Sequence, residues 1–396
     1  MKKLLITCVL IILVGGFVYK FSFDKSIDAS YSIEKESIEQ GNFLKDKQAV
    51  MYFSTTADQD IDNKGVSLAV FINDNGEADA FKMNGLELGS LTMADNEVLL
   101  VDKNKIRLIG NTFKEFNMEK PQYTGERTGY LEKKNLYFTI FNTGISADGG
   151  YDSNVVYGNE DGFNRGNIPY YISSSGNDQN DVVVLTHDIE KNEHHFRKVD
   201  LANDDVKVQD IVKLKNPKNL LLSSFSPVLS DEQFYYVILR EIVNETSEDI
   251  VLYRINKKTL IQDQFTISTY RNNKNLIAHI PYNIKNSAHL FNGVLYYANG
   301  LGEVYAFNTE TSKVRSLFSV KDAPQDGVRH NEELFFKDNL LYVVRHNEKL
   351  KEKYYIESYS LTKAKKIEDI KIKGLNDILR SVRGKSIYSY DFKMLK

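Results

Sequence analysis

The stretch from Ala288 to Val320 constrains this chain more than any other. It holds four short runs rich in apolar and β-branched residues: His289-Leu290-Phe291, Val294 to Ala298, Glu303 to Asn308 and Val314 to Phe318. Turns at Asn292-Gly293, Asn299-Gly300 and Thr309-Glu310-Thr311-Ser312 separate them. Strand side chains alternate between two faces, and Asn-Gly steps supply the positive φ that tight hairpins need. The spacing predicts one four-stranded antiparallel meander.

The same rhythm recurs at Leu88 to Met118, Leu222 to Ile267 and Glu333 to Ile372. A fifth copy reads as split, with two strands in Gly129 to Phe141 and two in Val182 to Val199. Period-two patterning holds almost everywhere from Ala49 onwards, so the fold class is all-β. Four-stranded units repeating at roughly 40 to 50 residues make a β-propeller, in which radial closure removes the long sheet edges. Strand fragments remain at both ends: Ala49 to Phe53, Leu68 to Phe71 and Ala78 to Phe81 in front, Ile378 to Val382 and Ile387 to Phe392 behind. Joining them into one sheet closes a ring of six blades; distributing them over two sheets would make seven.

Gly302-Glu303-Val304-Tyr305-Ala306-Phe307-Asn308-Thr309-Glu310-Thr311-Ser312-Lys313-Val314 resembles the blade pattern of quinoprotein-type propeller repeats, in which a glycine turn, a hydrophobic strand and a Thr-Gly-Lys-like turn recur. The resemblance covers this blade in sequence and the others by rhythm, and it implies the propeller fold.

Ahead of the repeats, Lys2 and Lys3 precede an apolar run from Leu4 to Tyr19 that is followed by Lys20. Its length falls between a secretory core of about 7 to 15 residues and a spanning helix of roughly 20, and no small-residue cleavage site follows it. Residues 1–23 read as a signal anchor, or as a signal peptide if cleaved, and 24–47 as a polar stalk. Residues 48–396 form the propeller domain, with an insertion at 142–180. Basic residues ahead of the run hold the N-terminus in the cytoplasm and place the rest outside. The expected location is the cell membrane with the domain extracytoplasmic, or secretion of the cleaved chain. The single cysteine, Cys8, lies inside the apolar run, so disulfides, thiolate metal sites and cysteine nucleophiles are excluded from the domain. With 51 basic against 54 acidic residues and no basic stripe, nucleic acid is excluded as a partner.

In a propeller, the links from second to third strand and from one blade to the next emerge on one rim. The insertion at 142–180 falls there, with Asp148, Asp152 and Asp161, and so do Arg271, His279, Arg329, His330, Arg345 and His346. Guanidinium groups recognise planar anions bidentately, so these residues are candidates for a binding face around the channel mouth. Asp58, Asp60 and Asp62, followed by Gly65, resemble an oxygen-rich calcium loop, since alternate carboxylates can converge on a hard cation. Calcium is the one cofactor the sequence suggests. No Gly-x-Ser-x-Gly elbow or phosphate-cradling loop occurs. The expected function is a membrane-anchored binding or scaffold module of a bacterial envelope, with an envelope protein or saccharide as partner. The alternative is an exported glycan hydrolase, lyase or oxidoreductase with acids and histidines at the channel mouth.

Overall fold

Period-two patterning becomes seven antiparallel sheets arranged as a ring. The computed structural model describes residues 31–396 except 61, 146–149, 203–204, 217 and 383. Six sheets are continuous meanders, with the first strand innermost: 91–117 (blade 2), 125–168 (blade 3), 172–213 (blade 4), 221–270 (blade 5), 288–319 (blade 6) and 333–372 (blade 7). The innermost strand of blade 5 is divided into Leu221–Ser224 and Leu229–Ser230. Blade 1 joins the two chain ends. Its inner strand Ile387–Met394 pairs with Lys47–Thr55, placing Met51 opposite Phe392, and Val66–Asn73 and Ala78–Asn84 complete it. The closure of the ring through paired termini is as the sequence indicates.

Each strand inside this ring buries both faces. Met51 and Phe53 pack towards blade 7 while Val50 and Tyr52, between and beside them in sequence, pack towards blade 2. Each of the seven interfaces between neighbouring blades carries its own apolar cluster, which is why the second strands are largely apolar runs. Tyrosine and phenylalanine do the wedge-filling in a chain without tryptophan. Each such side chain contributes on the order of 2 kcal/mol by leaving water. Some hydroxyls inside the wedges are paired, Tyr52 donating to the Val101 carbonyl at 2.9 Å and Tyr253 to Glu241 at 2.7 Å, while those of Tyr282 and Tyr297 have no partner among the described residues.

The blade count is seven where six was expected, and one stretch explains the difference. Residues 142–180, read as an irregular insertion, contain the end of Leu136–Ile145, then Tyr151–Asn159, Gly162–Ile168 and Ile172–Asn177. The first three belong to blade 3 and the last opens blade 4, so the split fifth copy is two neighbouring blades. These strands are built of Gly, Asn and Ser because backbone approaches them closely. A Cβ on Gly158 would sit 1.9 Å from the Gly162 oxygen, and one on Gly176 1.8 Å from the Val228 oxygen. At the other end, the expected strand fragment Ile378 to Val382 is instead mostly the helix Leu375–Ser381.

The described part of the stalk lies on the ring. Ser32 bridges to Ala80 at the outer edge of blade 1, and Ile38 in the short helix Lys35–Ile38 is 1% exposed. Phe43 packs edge-on against Phe71 with ring centres 4.9 Å apart. Its apolar residues are sparse because each docks singly into the cluster between blades 1 and 2. The expected anchor at 1–23 lies outside the described residues, among which no helix is long and apolar enough to cross a membrane.

Candidate functional site

Connections in an antiparallel meander alternate between the two ends of the ring. Links from second to third strand and from blade to blade therefore share one end, the loop face. These links touch one another: Gly300 donates to the His279 carbonyl at 3.2 Å, and Lys103 pairs with Asp60 at 2.6 Å.

Most of the charged residues expected to form a binding ring here are consumed by internal partners. His279 is fully buried and its ring stacks on Tyr270, 3.6 Å between centres. It donates from Nδ1 to Glu248 at 2.6 Å and accepts at Nε2 from Asn273 at 3.1 Å. Arg271 pairs with Asp249 at 2.6 Å. Arg329 donates to the carbonyls of Gly300, Asp326 and Pro324. Arg345 lies 3.0 Å from both Glu332 and Glu357 and also donates to the carbonyls of Lys321 and Asp322. Burial opposes its charge, yet Glu332 and Glu357 hold the guanidinium above its ordinary pKa. His346 lies against Tyr354, and His330, beside Tyr388, is exposed, as is Arg271. These groups do not converge on one ligand position; they knit the loops together.

The acidic candidates are scattered. Asp148 lies outside the described residues. Asp152 sits at the loop-face end of blade 3 and accepts from Asn167 at 3.4 Å. Asp161 occupies the turn between the third and fourth strands of blade 3, at the opposite end of the ring, because the supposed insertion contains that hairpin. In the suggested calcium loop, Asp60 is buried and taken up by Lys103 and the Gly65 amide, the latter at 2.5 Å. Asp58 and Asp62 are exposed, and among the described residues no group of three or more His, Cys, Asp or Glu side chains is arranged to hold a metal.

A second charged cluster, on the ring axis, was not legible in the sequence. The link from blade 5 to blade 6 contains the one-turn helix Ile284–Asn286, which crosses the loop-face end of the channel. Lys285 donates to the carbonyls of Leu88 and Gly89, on the far side of the ring. Asn283 donates to Glu333 at 3.0 Å and to the Tyr390 carbonyl at 2.7 Å. Asn286 donates to Asp391 at 2.8 Å and accepts from Lys393 at 2.6 Å. Glu126 and Arg127 on the inner strand of blade 3 complete the cluster, Glu126 accepting from Ser175 at 2.6 Å. Removal from water pushes Glu333 up to about 8 and pulls Lys285 down to about 8. It also raises Glu126 and lowers Arg127.

Exposed apolar side chains show a third pattern. Every large one among the described residues, except Leu260, Ile261 and Ile367, lies in or next to a link of the loop face. Leu88 (41% exposed) and Ile284 (36%) lie by the axis, with Tyr123 (47%), Ile277 (52%) and Leu350 (45%) among the remainder.

Comparison with known proteins gives the following. Residues 42–395 match the family described as YycP, β-propeller domain. The chain is 28% identical over 400 residues to Uncharacterized protein YycP of Bacillus subtilis (strain 168), covering all of both chains. Among solved structures it is similar to BamB from Moraxella catarrhalis, with a TM-score of 0.40 and 9% identity over 77% of this chain and 79% of that one. It is also similar to a mutant of Synechocystis ACO, with a TM-score of 0.46 and 7% identity over 83% of this chain and 90% of that one. Likenesses this distant carry nothing about function.

Proposed function

Given that this chain belongs to the YycP β-propeller domain family, we propose that it is a binding module of a bacterial cell envelope, tethered through its N-terminal apolar segment, whose loop face docks a protein partner. One observation carries the reading: exposed apolar side chains concentrate on that face, while its cations and histidines are largely spent on internal pairs. A surface of this kind, apolar and aromatic groups set among polar loops, suits contact with another macromolecule. Lys2, Lys3 and the run from Leu4 to Tyr19 support a membrane tether with the ring outside.

The test is capture from envelope membranes with the full chain, beside a variant carrying Ile277→Asp and Ile284→Asp. The reading expects a partner retained by the native chain and lost by the variant although both melt alike. Equal capture by the two would refute it.

A further inference from the structure

The inner strands of blades 2, 3 and 4 line an open polar cavity of about 570 Å³ that reaches the end of the ring opposite the loop face. Arg127 and Thr128 line it, with Tyr130 and Asn177, and Asp95 and Glu132 stand in the turns at its mouth. Arg127 is out of keeping with the other arginines inside this fold. Arg107 lies 2.9 Å from Asp102 and 2.8 Å from Glu115, Arg197 lies 2.6 Å from Asp210, and Arg345 has two carboxylates, while Arg329, which has no carboxylate partner among the described residues, donates to three carbonyls. Arg127 has no carboxylate within 4 Å among the described residues; it makes one long hydrogen bond, from Nη1 to the Lys285 carbonyl at 3.4 Å, and its buried Nε has no partner. The adjacent carboxylate, Glu126, is turned to Ser175. Thr128 is 6% exposed and its hydroxyl is also without a partner.

Glu126 and Asp391 act on this guanidinium only from beyond contact distance and do not offset its removal from water, and an oxyanion entering the cavity would bond to it directly. The mouth has the opposite character. Asp95 and Glu132 are exposed and in no ion pair with a described residue. They disfavour a polyanion and suit an ammonium. Arg127 and Glu132 are five residues apart along the strand Gly125–Leu131 and the turn after it, about 16 Å at about 3.3 Å per residue, a span that takes a peptide of about five residues rather than one amino acid. We propose that the cavity binds a short peptide by its free C-terminus, with the carboxylate on Arg127 and Thr128 and the amino end at Asp95 and Glu132. This site is separate from the loop face and does not rest on the docking reading.

The test is calorimetric titration of the full chain, purified in mild detergent, with pentaalanine, pentaalanine amide, N-acetyl-pentaalanine and inorganic phosphate. Pentaalanine should bind. The amide, lacking the carboxylate, should bind about tenfold or more weaker, and the N-acetyl form up to about fivefold weaker. Arg127→Ala should lose about tenfold or more in pentaalanine affinity while melting no lower than the native chain, and Thr128→Val should lose a smaller factor. Asp95→Asn with Glu132→Gln should erase the preference for pentaalanine over its N-acetyl form. Failure of pentaalanine to bind, equal binding of the amide, undiminished binding by Arg127→Ala, or phosphate binding as tightly as pentaalanine would each overturn the assignment.

Discussion

Arg345 in the loop face is buried and Arg127 in the channel is half-buried with its Nε shut off from solvent, yet they meet opposite fates. Arg345 is enclosed by Glu332, Glu357 and two carbonyls, which take four hydrogen bonds from its five N–H groups. Arg127 has one long hydrogen bond and a cavity beside it. Charge alone is therefore a poor guide to a site. A saturated buried cation fastens loops; an unsaturated one beside a cavity is available for binding.

The contrast predicts a graded set of outcomes. Arg345→Leu leaves buried Glu332 without a cation, while Glu357 keeps Lys366 and Tyr359, and should cost about 3–5 kcal/mol in denaturant unfolding. A cost near zero would show that the rim pairs do not hold the loops. The next effect is pH-dependent. Burial raises Glu333 from an ordinary 4.5 to about 8, so the folded chain keeps a proton that the unfolded chain releases. The stability this proton carries is full below about 4.5 and is lost as pH rises to about 8. Lys285, lowered from 10.5 to about 8, works the other way: its contribution is full above about 10.5 and is lost as pH falls to about 8. Glu333→Gln should therefore flatten the fall in stability between about pH 5 and 8, a difference on the order of 2–4 kcal/mol at the upper end. An unchanged profile would remove Glu333 from the axial cluster's electrostatics. Arg127→Leu should leave stability unchanged or raise it by about 1 kcal/mol, because it deletes an unpaired buried charge. A loss comparable to that of Arg345→Leu would erase the distinction between the two arginines. Ile284→Asp, on the exposed side of the crossing helix, should move stability by no more than about 0.5 kcal/mol while abolishing partner capture.

What could be read from the sequence followed from how local its causes are. Blade 6 was legible almost to the residue because its turns carry Asn-Gly steps and its strands carry branched and aromatic residues. The pairing of the chain ends was legible because fragments left over at both termini need each other's edges. Residues 151–177 were not, because glycine and serine strands that press against neighbouring backbone look like loop. The axial cluster was hidden for a different reason. Glu126, Arg127, Asp391 and Lys393 sit on innermost strands where alternating polar residues read as a solvated face, and only ring closure turns them towards one another. Lys285 belongs to a link whose path across the channel to Leu88 depends on blades distant in sequence. The expected rim site failed in the converse way: His279 and Arg345 looked free in the sequence because Glu248, Glu332 and Glu357 come from other strands and links.

The most direct test of the loop face as a docking surface is site-specific photo-cross-linking in intact envelope membranes. A benzophenone side chain is placed in turn at Ile277, Ile284, Ile261 and Ile367, all exposed apolar positions in the native ring. The first two lie on the loop face and the last two away from it. The docking account predicts one discrete cross-linked protein from Ile277 and Ile284 and none from Ile261 and Ile367. The same product from all four positions, or a product from Ile261 and Ile367 alone, would contradict it.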